Sequence, residues 1–136
     1  MTSSQPIRVR PAAAADIAAI AAIYAHAVET GLASFELSAP DEAEMTRRRE
    51  AIVSAGYPYL VADRGGEVLG YAYASKWKPR AAYRHSVESS VYLRHDAGGR
   101  GIGKQLYREL IAQLKPLGVD VTLGVIVGVA VGVEVM

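Results

Sequence analysis

A run of glycines, Gly98-Gly99-Arg100-Gly101-Ile102-Gly103, followed at once by Lys104, is the part of this 136-residue sequence best suited to chemistry. It lies between a strand-like stretch ending near Leu93 and a leucine-periodic stretch starting at Ile102. A strand that turns through glycines into a helix is a device for holding phosphate. The first amides of a helix have no internal partners, and the helix dipole places partial positive charge there. Glycines allow left-handed angles and let oxygen atoms approach without an intervening Cβ. The amides from Gly99 to Lys104 are the candidate donors, with Arg100 and Lys104 adding charge at the rim. The structural alternative is a tight connection that binds nothing. A P-loop is set aside because Gln105, not Ser or Thr, follows Lys104. The dinucleotide fingerprint is set aside because the turn comes late, after antiparallel hairpins.

Other routes to reactivity are closed or unmarked. The chain has no cysteine, which removes disulfides, thiolate metal sites and a cysteine nucleophile together. That fits a reducing cytoplasm. His26, His85 and His95 lack a metal-ligand spacing, so no metal is expected. Arg47, Arg48 and Arg49 are surrounded by Glu42, Glu44 and Glu50 and read as a solvated helix face rather than an anion patch. A formal charge of +1 gives no electrostatic case for nucleic acid or an anionic membrane. The N-terminus lacks a signal-peptide layout. The apolar run 121–133 falls short of the ~20 residues of a spanning helix.

Positioning the glycine turn takes a mixed chain, and 51% hydrophobic with 21% charged residues suits one globular domain of this length. Ile7 and Val9 alternate with arginines and predict a strand stopped by Pro11. Asp16 is a candidate N-cap for a helix carrying Ile17, Ile20, Ile23, Tyr24, Ala27 and Val28 inward, closed at Gly31. A second helix is expected over 41–55. Segments 59–63 and 67–75 around Arg64-Gly65-Gly66 predict a hairpin. A fourth strand over 84–94 sorts Val87, Val91 and Leu93 to one face and Ser86, Glu88, Ser90 and Tyr92 to the other. A helix over 102–115 turns Leu106, Leu110, Leu114 and Leu117 inward, and a strand follows Val119. This order predicts a single α+β (mixed α/β) domain over 1–136: a mostly antiparallel twisted sheet flanked by helices.

With those elements in place, Val91-Tyr92-Leu93, the turn Gly99-Arg100-Gly101-Ile102-Gly103 and the leucine-rich helix resemble the acetyl-CoA motif of the GNAT N-acetyltransferase superfamily. Further segments resemble its phosphinothricin and methionine sulfone/sulfoximine branch. They are Ile7-Arg8 with Asp16-Ile17, Ala33-Ser34-Phe35-Glu36, Gly56-Tyr57-Pro58, Gly70-Tyr71-Ala72 and Tyr83-Arg84-His85-Ser86-Val87-Glu88. The resemblance covers roughly residues 6–123. It implies acetyl-CoA as co-substrate, held at the glycine turn, with the backbone groups of Val91, Tyr92 and Leu93 bonding the pantetheine arm and acetyl carbonyl. It implies Glu88 as the general base that takes a proton from the attacking amine. It implies Phe35, Glu36, Tyr83 and Arg84 as lining of the acceptor pocket, an arginine there being suited to a carboxylate or phosphinate. The expected reaction is direct transfer, in a ternary complex, to a small amino-acid-like amine. The resemblance leaves room for a homodimer in the cytoplasm.

Two departures stand out. Gly98 occupies a position where the family usually has arginine or glutamine, which implies weaker cofactor binding. Nothing from Gly124 to Met136 resembles the family's next helix, which supplies an asparagine to the cofactor. Instead valines alternate with small residues. A single strand over 119–136 would run on the order of 60 Å. A bend at a glycine, a short membrane helix, and a shortened or altered C-terminal part are the alternatives, the last preferred. On that reading the tail does not rebuild the cofactor cleft, and turnover is poor. A non-catalytic CoA-binding or interaction module and a protein N-acetyltransferase stay open as other functions, the second disfavoured by the aromatic residues near Tyr83.

Overall fold

The computed structural model describes residues 6–30, 37–76, 86–97, 101–117 and 120–127. In chain order its elements are β1 (Arg8–Pro11), α1 (Ile17–Glu29), α2 (Glu42–Ser54), β2 (Tyr59–Arg64), β3 (Glu67–Lys76), β4 (Ser86–Leu93), α3 (Ile102–Leu114) and β5 (Asp120–Val127). The strands lie side by side in sequence order. The β1–β2, β2–β3 and β3–β4 pairs are antiparallel, and the β4–β5 pair is parallel. A parallel pair needs a crossover, and α3 supplies it. The expected fold class and element order therefore match. The tail enters the sheet as β5, and residues 128–136 lie outside the described residues.

The period-two alternation of the central strands divides the interior into two cores. Tyr59, Val61, Tyr71 and Tyr92 pack with Ile17, Ile20, Tyr24 and Met45 of α1 and α2. On the other face, Leu60, Ala72, Val91 and Leu93 pack with Ile102, Leu106, Leu110 and Leu114 of α3. Each large side chain fully buried there contributes roughly 1.5–3 kcal/mol. Gly70 lets α3 come close to the sheet. A Cβ at Gly70 would stand 2.8 Å from Leu93 Cδ2, 2.9 Å from the Tyr92 carbonyl and 3.3 Å from Leu106 Cδ1.

Helix ends depart from expectation in two described places. Leu117 is 49% exposed rather than inward. Pro116 takes the chain out of α-helical spacing, α3 stops at Leu114, and a 3-10 turn follows. At the start of α1, Asp16 makes no side-chain cap on the helix itself. It reaches back instead, accepting from the Ala13 amide at 2.7 Å across a 3-10 turn. At the other end Thr30 follows the helix, its hydroxyl donating to the His26 carbonyl at 2.9 Å, while Gly31 lies outside the described residues.

Asp16 also anchors an ion network. The Arg10 guanidinium donates to both Asp16 oxygens, at 2.8 and 3.0 Å, and to Asp63 at 3.0 Å. Asp63 in turn accepts the Gly66 amide at 2.7 Å, so one arginine ties β1 to the entry of α1 and to the β2–β3 turn. The bond from Arg10 holds the Asp16 carboxyl below its usual value. A depressed carboxyl stabilises the fold above the unfolded-state pKa, and that stability is lost as pH falls through the folded value. Asp16→Asn is expected to cost about 1–2 kcal/mol at pH 7, because it breaks a two-pronged charged pair with half-buried Arg10, which keeps Asp63 as its remaining ionic partner. Denaturant melts from pH 7 to pH 2 should show the gap between wild type and variant closing below pH 4.

Candidate functional site

The start of α3 leaves its first amides without partners inside the helix. After β4, the Arg94 amide bonds the Leu69 carbonyl at 2.8 Å, and the Ala97 amide bonds the Arg94 carbonyl at 2.9 Å, which turns the chain. Gly98, Gly99 and Arg100 lie outside the described residues. Gly101 then adopts φ 73° and ψ 12°, a left-handed conformation that favours glycine. No side chain caps the helix here, and the first intrahelical bond runs from the Gln105 amide to the Gly101 carbonyl at 3.0 Å. The amides of Ile102, Gly103 and Lys104 therefore have no partner inside the helix. Ile102 is buried in the α3 core and fixes the turn, whereas Lys104 is exposed.

β4 runs up to this turn between two ladders. Val91 pairs with Ala72 and Ile126, and Tyr92 pairs with Tyr71 and Val127. The antiparallel register, continued by the bond from Arg94 to Leu69, turns the backbone groups of Tyr92 toward β3 and those of Val91 and Leu93 toward β5. Leu93 lies past the last described β4–β5 pair. Glu88 sits near the start of the strand, opposite Ser75 of β3 and Leu123 of β5, beside a register shift at Val87/Glu88. Phe35, Glu36, Tyr83 and Arg84 lie outside the described residues.

Sequence reasoning missed an aromatic cavity of about 270 Å³ between α2 and the sheet. Tyr59 and Tyr73 stack at 5.0 Å between ring centroids, Tyr59 and Tyr71 at 5.9 Å, and Tyr71 continues the stack to Tyr92 at 5.2 Å. Burial pushes the Tyr59 and Tyr71 phenols well above their ordinary range, so both stay protonated donors. Ala51, Ile52, Arg47 and Arg48 line the cavity from α2, and Ser75 lines it from β3. The signal available in the sequence was the i, i+2, i+4 spacing of Tyr71, Tyr73 and Ser75, which puts them on one strand face.

The arginine run does not behave as one solvated face. Arg47 and Arg48 both bond Glu44, which they hold down to about pKa 2. Arg49 instead turns inward and donates to the Ala12 carbonyl at 2.8 Å. A second, larger cleft lies between α1 and the β2–β3 turn, where His26 and His95 rings approach to 4.7 Å. Its Arg94 is held by Asp96 at 2.6 Å and Glu67 at 3.0 Å.

The chain matches the Acetyltransferase (GNAT) family over residues 20–131. It is similar to phosphinothricin N-acetyltransferase of Alcaligenes faecalis, 54% identical over 98 residues that make up 72% of this chain and 50% of that protein. It is also similar to the L-methionine sulfoximine/L-methionine sulfone acetyltransferase of Pseudomonas paraeruginosa, 40% identical over 87% of this chain and 69% of that protein. Among solved structures, a GNAT superfamily phosphinothricin acetyltransferase from Sinorhizobium meliloti, in complex with acetyl-CoA, superposes with a TM-score of 0.77. That pair is 47% identical, covering 82% of this chain and 60% of the other. The chain thus spans half to two thirds of the length of these relatives.

A Cβ placed on Gly101 meets no atom within 4 Å, so the constraint there is backbone conformation rather than crowding. Gly101→Val should cost about 1–3 kcal/mol in a denaturant melt, since a β-branched residue resists a left-handed angle. Gly101→Asn should cost clearly less. Equal losses for the two would place the constraint elsewhere.

Proposed function

Because the chain belongs to the Acetyltransferase (GNAT) family, we propose that it transfers an acetyl group from acetyl-CoA to the amine of a small amino-acid-like acceptor. The observation that carries this reading is the uncapped start of α3, entered through left-handed Gly101 directly after the central strand. Free amides at a helix N-terminus fit a pyrophosphate. The relatives named for phosphinothricin and for methionine sulfoximine and sulfone support the acceptor class. The reading extends to a cytoplasmic protein, monomer or homodimer, that acts on a small molecule.

Acetyl-CoA supplies the activated acyl group, and the chain's own residues bind, orient and move a proton. The amides of Ile102, Gly103 and Lys104, continued by Gly98, Gly99 and Arg100, hold the pyrophosphate, with the Arg100 and Lys104 charges at the rim. Of Val91, Tyr92 and Leu93, whose backbone groups the resemblance assigns to the extended arm, Tyr92 is taken up by the β3 ladder, which leaves the β5-facing groups of Val91 and Leu93 to guide it. A backbone amide aimed at the acyl oxygen is worth ~3 kcal/mol where such a donor has been removed. Leu93, whose backbone groups face the β5 side next to the turn, suits that task best. An amine is mostly protonated at neutral pH and attacks only after losing its proton. Glu88 takes that proton, directly or through a water. Phe35, Glu36, Tyr83 and Arg84 complete the acceptor pocket, with Arg84 on the acceptor's anionic group.

A panel of amines including phosphinothricin, methionine sulfone and a peptide, followed by release of free thiol, tests the activity. Glu88→Gln should lower kcat by ~100-fold or more and leave acetyl-CoA affinity nearly unchanged. The acidic limb of the pH–rate profile should disappear with it. A variant with the wild-type profile would take the base role away from Glu88.

A further inference from the structure

We infer that Arg94 is a positioning residue for acetyl-CoA: it braces the exit of β4, so that the amides opening α3 stand where a pyrophosphate needs them, without touching the ligand itself. The inference rests on the acetyl-transfer reading and adds a residue to its cofactor site. The backbone of Arg94 is used twice. Its amide donates to the Leu69 carbonyl of β3 at 2.8 Å, and its carbonyl accepts the Ala97 amide at 2.9 Å. Its guanidinium is used twice as well. It grips Asp96 in a two-pronged pair at 2.6 and 3.3 Å, and it reaches Glu67, the first residue of β3, at 3.0 Å. Glu67 is held in turn, because Asp63 accepts the Gly66 amide at 2.7 Å and closes the β2–β3 turn. A tight hairpin therefore holds the arginine, and the arginine holds the chain leaving β4. His95 adds a tie to α1, its ring 4.7 Å from that of His26.

The need for a brace follows from the sequence it leads into. Residues 98–101 are Gly-Gly-Arg-Gly, and glycine loses more conformational freedom on ordering than any other residue. Presenting amides ready-made to an anion then depends on fixed ends. Ile102, 1% exposed, anchors the helix side, and Ala97, also 1% exposed, anchors the strand side through its bond to Arg94. Charge argues against a direct role on the phosphates. Arg94, Asp96 and Glu67 together carry a net negative charge, which repels a pyrophosphate rather than drawing it. Their place just before an anion site is explained by geometry and not by attraction.

Calorimetric titration of the full chain with acetyl-CoA tests this, and Glu67→Ala is the deciding variant because two roles differ in sign there. Removing an exposed carboxylate near an anion site tightens binding if charge governs, and weakens it if the brace governs. The brace predicts a Kd for acetyl-CoA raised roughly tenfold in Glu67→Ala and in Arg94→Ala, with no further rise in the double variant. Arg94→Lys keeps the charge but loses the two-pronged grip, so it should bind as weakly as Arg94→Ala. Exposed ion pairs add little to global stability, so denaturant midpoints should stay at the wild-type value. Hydrogen exchange at the Ala97 amide should quicken in all three single variants, while KM for the acceptor stays unchanged. Glu67→Ala or Arg94→Lys binding acetyl-CoA at wild-type strength or tighter overturns the brace alone. A wild-type chain that fails to bind acetyl-CoA overturns the acetyl-transfer reading, and the brace with it.

Discussion

The central strands of this protein have to serve two cores at once. Successive residues of β3 and β4 point to opposite faces, so each position is committed either to the α1–α2 side or to the α3 side. Tyr71 and Tyr92 go to the first, and Ala72, Ala74, Val91 and Leu93 to the second. Shifting either strand by one residue would drive tyrosines into the space where α3 packs and is therefore excluded. The placement of chemistry follows from this constraint. Alternate positions along β4 serve different faces, so one rigid strand can address a cavity through some residues and a helix terminus through its end.

The start of α3 inherits its position from the same packing. Small residues on the α3 face, together with the notch at Gly70, let Leu106 and Leu110 press against the sheet. Ile102 is buried with them, so the first turn of the helix cannot swing away from β4. The chain enters the helix through a left-handed residue at Gly101. Unsatisfied backbone amides at a helix start can attract an anion with little net charge, in keeping with a chain whose formal charge is only +1.

Much of the architecture was legible in the sequence because it is written in local patterns. The Arg64-Gly65-Gly66 hairpin, the alternation of Val91, Tyr92 and Leu93, and the leucine spacing of α3 each depend on near neighbours. Leu117 broke the pattern because Pro116 ended the helix before leucine periodicity did. Arg49 was misread with its neighbours because its partner, the Ala12 carbonyl, is remote in sequence. The aromatic cavity was not legible for the same reason. Tyr24, Tyr59 and Tyr71 belong to three elements, and each alone looks like an ordinary core residue. The glycine turn was legible as a motif, yet only the structure separates the backbone need at Gly101 from the packing need at Gly70.

The central claim is that acetyl-CoA is held by the amides that open α3. Backbone amide resonances of the isotope-labelled 136-residue chain, followed during titration with acetyl-CoA, test it most directly. The account predicts saturable shifts that are largest at Ile102, Gly103 and Lys104 and extend to Leu93. Shifts that fail to saturate, or that centre on the cleft beside His26 and His95, would contradict it.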